Sequence, residues 1–461
     1  MSKDIYRSRL SKSLSERARK YLSSIKEDAE FFNEEIQTQI AHVAMLQRIG
    51  IFEKEEAKRI VDALMAISKE ELISSTFEDI HEFIEAKLIE KLGEVAMKIQ
   101  TGRSRNDQVA TITRLKLKNL LLKSLEAEIK FVKDLLDRAE KDIECLIIYR
   151  THRRDAQVAN LSHYWLAFVD SSMRNLERII EAYHRCDLSP LGASACGGSL
   201  IPLDREFTKE MLGFSGLIEN SLDAVTTRDF ILDSLHALTC IMVDLSRMAE
   251  DLIYWTDMKI LDIDDSHAST SSLMPHKKNP DVLEMIKARA KEVISGYGTV
   301  SNILSSLPSG YNRELQRVKA IVIEKTKLAI ESIEMMAEVV HLIKYDKNKA
   351  EEAILRSESI ATDIAEYLVL NTKIPFREIH KGVANIFREL SNKKEIMDRI
   401  SSYFKIESLE KLEPKLLLSL RKSLGSPNPS EIKRMLSDRK DKIVYFEDFL
   451  EKHKKVVKEV T

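Results

Sequence analysis

The sequence predicts an all-α protein of three helical domains around a long central helical bundle that assembles with copies of itself. Two observations carry this. The 461 residues include only 13 glycines and 9 prolines, under half the usual share of about 12%, so turns are few and elements are long. The runs 103–189, 217–274 and 311–374 contain neither residue. Inside these runs and just after Pro280, apolar residues recur at alternating steps of three and four, which places them on one face of a helix.

Taken in chain order, residues 1–104 predict an N-terminal helical domain of short, charged helices, such as 55–68 and 79–92. Residues 105–354 predict the central bundle and oligomerisation domain. Its five stripes run Leu122–Ile143, Val158–Tyr183, Ile231–Leu252, Ile286–Leu304 and Val322–Ile343. Extra apolar residues beside the seam, such as Ile241, Met248 and Trp255, suit a bundle of several helices better than a two-stranded coil. Helices of about 25–40 residues would be some 40–60 Å long, with apolar face to spare for oligomerisation. Residues 355–461 predict a C-terminal helical domain of shorter elements, punctuated by Pro375, Gly382, Gly425, Pro427 and Pro429.

Composition narrows the function. Lys and Arg number 72 against 74 Asp and Glu, a net charge of −2, which gives no global bias toward nucleic acid or an anionic membrane. No glycine-rich phosphate loop is present. The four cysteines, Cys145, Cys186, Cys196 and Cys240, show no CxxC pairing and read as buried free thiols of a reducing compartment. The opening Met1-Ser-Lys-Asp-Ile-Tyr-Arg has no apolar signal core, and no stretch nears the roughly 18 apolar residues of a membrane span. The expectation is a soluble cytoplasmic protein.

Polar segments interrupt this pattern. Ser271-Ser-Leu-Met-Pro-His-Lys-Lys-Asn279 packs hydroxyls, lysines, a histidine and an asparagine around one proline. Such a loop can bind an anion, and a hydroxyl beside an ammonium can become a base. Gly102-Arg-Ser-Arg-Asn-Asp-Gln-Val109 brings arginines and amides to a helix start, a setting suited to a carboxylate or to a cap at Asn106 or Asp107. Thr151-His152 offers a proton-exchanging side chain. In Tyr311-Asn-Arg-Glu-Leu-Gln316-Arg-Val-Lys319, Gln316 and Lys319 share a helix face one turn beyond Tyr311. Asp262-Ile-Asp-Asp-Ser-His267 lacks the spacing of a calcium loop. It reads as capping and solvated residues, and no metal is inferred.

Together these segments resemble the argininosuccinate lyase branch of the fumarase/aspartase superfamily. The Ser271 loop, continued by Pro280-Asp281, carries the superfamily likeness, and Gly102–Val109 the branch. Further matches are Ser24-Ile25 with Asp28, Glu78-Asp-Ile-His81 with Glu85, Leu203-Asp-Arg-Glu206, Asn220–Val225, Tyr311–Lys319, and Ala361-Thr-Asp363 with Pro375-Phe-Arg377. They span nearly the whole chain.

The resemblance implies a homotetramer whose active sites are built from three subunits. It also implies the reversible cleavage of argininosuccinate to arginine and fumarate, without cofactor. By resemblance Ser271 is the base, and His152 is the acid or a relay to it, with Glu284 as its orienting carboxylate. Lys277 and Asn279 hold the succinate carboxylates, and Ser24, Asn106, Thr151, Tyr311, Gln316 and Lys319 contact substrate.

The chain departs from the family pattern at Arg153-Arg154-Asp155, which bring charge beside the proposed acid. Thr270 stands where a glycine is usual, and His276 where a glutamine is usual. Leu191-Gly-Ala-Ser-Ala-Cys196 and Ser199 depart as well. His276 makes adenylosuccinate lyase the nearest enzyme alternative. A non-catalytic structural homologue is the alternative of another class.

Overall fold

A computed structural model describes residues 9, 11–407, 409 and 412–460; the opening Met1–Arg7 lies outside them. Five long helices form the centre: Arg105–Lys141, Leu161–Cys186, Asp229–Asp257, Asp281–Ser305 and Leu315–Leu342. Their stripes meet in one continuous core that includes Leu125, Val132, Trp165, Leu176, Leu238, Leu245, Val293 and Ile333. Ile241, Met248 and Trp255 are buried in it too.

Two sequence expectations change here. The stripe through Val158 is not all helix. Residues Leu146–Thr151 and Arg154–Asn160 form an antiparallel β-hairpin, and the next helix starts at Leu161. The β-branched and aromatic content of Leu146-Ile-Ile-Tyr favours strand. The strand alternation sends Ile147 and Ala159 into the central core and Leu146, Ile148 and Val158 into the core of residues 354–418. The hairpin is therefore a wedge buried on both faces.

The second change concerns the C-terminus. After the shorter helices of residues 347–420, Pro429–Val460 is a single helix of 32 residues. Ile432, Met435, Leu436, Ile443 and Phe446 enter the central core, and Arg439 grips Asp170 at 2.9 and 3.0 Å. Pro429 begins this helix; proline fits the first helical position because no N–H is needed there.

The N-terminal region has its own core, including Leu46, Ile60, Leu72, Phe83 and Leu88. The helices Lys54–Met65 and Ile80–Leu92 lie where the sequence placed them. All four cysteines are free, but only Cys186 is buried and Cys196 is exposed. Among the described residues, no helix is long and apolar enough to cross a membrane.

Candidate active site

The Ser271 loop is the tip of a small hairpin. Ser269 pairs with Asn279 and Thr270 with Lys278, and the Ser271 amide donates to the Lys277 carbonyl at 3.2 Å. Thr270, in place of the usual glycine, thus sits in a strand that suits a β-branched residue. The chain folds back so that the Ser271 hydroxyl oxygen accepts the Leu273 and Met274 amides at 3.3 and 3.0 Å. Two backbone donors on one oxygen are what a serine alkoxide would require.

His276, Lys277, Asn279 and Glu284 line a cleft of about 940 Å³, together with Glu250, Tyr254 and Asp257. Among the described residues Lys277 has no ion-pair partner, whereas Lys278 is held by Asp262 at 3.0 Å and Asp265 at 2.8 Å. The acidic segment is capping and solvated, as its sequence suggests: Asp264 caps a short helical turn and pairs with Lys344, and the exposed Asp262 and Asp265 also anchor the loop through Lys278. Glu284 lies in the first turn of its helix, where the helix dipole favours a carboxylate.

Thr151 and His152 stand at the exposed tip of the larger hairpin. His152 and Arg153 form its two-residue turn, with φ of 53° and 62°. That left-handed turn normally takes Asn-Gly, so the backbone is strained where the proposed acid is presented. Arg150 stacks on the Tyr254 ring at 3.9 Å and approaches Asp155 at 3.7 Å, which ties the tip to the cleft wall. Within one chain, no hydrogen bond joins His152 to Glu284 among the described residues.

The other proposed contacts gather elsewhere. Ser104 caps the Arg105–Lys141 helix, and Asp107 completes its capping box; the cap is neither Asn106 nor Asp107 itself. Arg105 pairs with Asp79 at 2.9 Å. Burial would raise the Asp79 carboxyl, but Arg105 and His81 beside it hold it below the usual range. Gln316 donates to the Leu22 carbonyl at 3.1 Å, and Tyr311 lies in the turn before that helix.

Lys319 is buried and pairs with Asp28 at 2.5 Å. Burial alone would lower its ammonium pKa; Asp28 reverses this and raises it. Asp28 is the residue the site assignment left out. It is fully buried and also accepts the Ser24 hydroxyl at 2.8 Å and the Ile80 amide at 3.3 Å. Its place four residues after Ser24, on the same helical turn, was the available signal.

In one chain the proposed site residues thus fall into two separate groups, two proposed half-sites. Asn106 lies in the first turn of a 37-residue helix, about 55 Å long. The Thr151 hairpin follows the far end, where Trp165 donates to Asp142 at 2.8 Å. The strand Leu261–Asp262 that leads to the Ser271 loop is at that far end too. It pairs with Lys344–Tyr345, and the Tyr345 hydroxyl reaches the Leu146 carbonyl at 2.9 Å.

Residues 7–295 match the family model described as lyase. A class II fumarase from Schistosoma mansoni shares the fold, with a TM-score of 0.73 at 14% identity over 86% of this chain and 93% of that one. An EDDS lyase solved in complex with formate superposes with a TM-score of 0.85 at 26% identity, covering 94% and 90%. The fold and these likenesses define a lyase of the fumarase/aspartase superfamily.

Residues 358–424 match the model for the argininosuccinate lyase C-terminal region. The argininosuccinate lyase of Methanocaldococcus jannaschii is 37% identical over 98% of this chain and 96% of its own length. That of Methanosarcina mazei is 35% identical over 96% and 94%. The chain belongs to the argininosuccinate lyase family, a family of carbon–nitrogen lyases.

Proposed function

We propose that this protein cleaves argininosuccinate reversibly to arginine and fumarate, by general acid–base catalysis, as a cytoplasmic homotetramer serving arginine biosynthesis. The Ser271 oxygen removes a proton from the carbon beside a carboxylate. The electron pair delocalises into that carboxylate, and Lys277 and Asn279 hold the doubly charged result. His152, oriented by Glu284, delivers a proton to the guanidino nitrogen as the C–N bond breaks and the carbon–carbon double bond forms.

The observation that carries this reading is the Ser271 hydroxyl, which accepts two backbone N–H groups beside an unpaired-lysine cleft. A serine cannot serve as a carbon base without such donors to stabilise its anion. The placement of the half-sites at opposite ends supports the tetramer. Antiparallel copies would set the Asn106–Lys319 end of one against the Ser271 loop of another, with a third supplying His152. The free thiols support a cytoplasmic setting.

Incubation with argininosuccinate should raise the ultraviolet absorbance of fumarate. No rise with an intact assembly would sink the proposal. His276 in the cleft wall favours a second reading, and the adenylosuccinate nucleotide is the parallel substrate; its turnover in place of argininosuccinate would favour that reading.

A further inference from the structure

The loop that departs from the family pattern, residues 191–200, rests on the proposed substrate contact Asn106. The Asn106 Nδ2 donates to the Ala195 carbonyl at 2.9 Å. From the Asn106 helix, Leu115 packs against Leu191 at the start of the loop, and the neighbouring Asp107 bonds its backbone. One Asp107 oxygen accepts the Gly192 and Ser194 amides at 3.0 and 2.9 Å, and the other accepts the Ser104 amide at 3.1 Å. Asp107 is fully buried.

The loop is gripped from its other side as well. Arg205 donates to the carbonyls of Leu191, Ile218 and Glu219 at 3.1, 2.7 and 3.1 Å. Gly192 has φ +86°, and a Cβ there would lie 2.7 Å from the Arg205 Cγ. Ser221 holds the Cys196 carbonyl at 2.9 Å. The loop is thus clamped on both sides of Ala195.

An asparagine amide is nearly symmetrical in shape, so packing alone does not decide which end is the donor. A carbonyl in contact decides it, because it accepts only from nitrogen. We propose that Asp107 is a positioning residue for substrate binding: by clamping Gly192 and Ser194 it places the Ala195 carbonyl, and that carbonyl turns the Asn106 amide so that its second N–H faces a substrate carboxylate. The inference rests on the reading of Asn106 as a substrate contact.

The test compares wild type with Asp107→Ala, Asp107→Asn and Gly192→Ala, each checked for assembly and thermal midpoint before assay. One misdirected hydrogen bond to a charged group corresponds to about tenfold or more in affinity. Asp107→Ala and Gly192→Ala should therefore raise KM about tenfold while kcat stays within about threefold. Asp107→Asn, which keeps an oxygen for the Gly192 and Ser194 amides, should fall between. An unchanged KM in a folded, assembled variant overturns the inference, as does a loss of kcat at constant KM. If Asp107→Ala fails to fold, Gly192→Ala decides alone, since it dislodges the loop from the carboxylate while the carboxylate itself stays in place. A wild type without turnover overturns the proposed reaction, and this inference with it.

Discussion

The two ends of the Arg105–Lys141 helix carry opposite kinds of polar site. At the Asn106 end the groups are sunk and paired: Lys319 on Asp28, Arg105 on Asp79, Asp107 on three amides. At the other end Lys277, His152 and Glu284 are exposed, and none of them forms an ion pair among the described residues. In the proposed function the first end recognises substrate and the second reacts with it. A preorganised recognition surface needs fixed partners, whereas a loop that closes over substrate must have few until it closes.

The largest effect should come from the reactive end. Ser271→Ala removes the proposed base and should lower turnover by roughly 10²–10⁴, with the helical circular dichroism unchanged. Activity retained in that variant would show that the exposed end does not supply the base.

The recognition end should answer with stability. Lys319→Met leaves Asp28 buried without its cation, which costs roughly 3–5 kcal/mol and lowers the denaturant midpoint. A midpoint near wild type would mean that this end is not the rigid one.

Between the ends lies Glu128, fully buried, with one carboxylate oxygen unpartnered. Burial pushes its carboxyl up to about 8. From about pH 4.5 to 8 the folded state then binds more protons than the unfolded one, so stability falls as pH rises through that window. Glu128→Gln should flatten the slope and add on the order of a few kcal/mol at pH 8. Parallel unfolding curves for the two proteins would refute this.

The smallest effect belongs to the strained hairpin tip. Arg153→Gly relieves one left-handed residue and should stabilise the fold by about 0.5–1 kcal/mol. A lower thermal midpoint would indicate that Arg153 contributes a contact worth more than its strain.

Much of this was legible in the sequence. Alternating steps of three and four found the five long helices but not their ends; the stripe from Leu122, for instance, covers only the second half of Arg105–Lys141. The Thr151 hairpin was not, since a short strand pair between two helices happened to continue the helical spacing through Val158. The length of the last helix was not legible, because Pro429 punctuates the sequence like a stop although proline also fits a first helical turn. The motifs that carry the proposed site residues were legible one at a time. Their placement in two distant groups was not, because sequence order says nothing about which end of a bundle a loop occupies. Asp28 was legible as a match to the family but not as a partner, because it holds Ser24 and Lys319 from beneath, and Lys319 lies 291 residues away in sequence.

The central claim is that halves of one active site come from different copies. Ser271→Ala and Asn106→Leu proteins, each silent at low argininosuccinate, should be mixed under conditions that exchange subunits, with the mixed tetramers verified by native mass spectrometry. Activity that neither parent possesses should then appear. Verified mixed tetramers without turnover would contradict the claim.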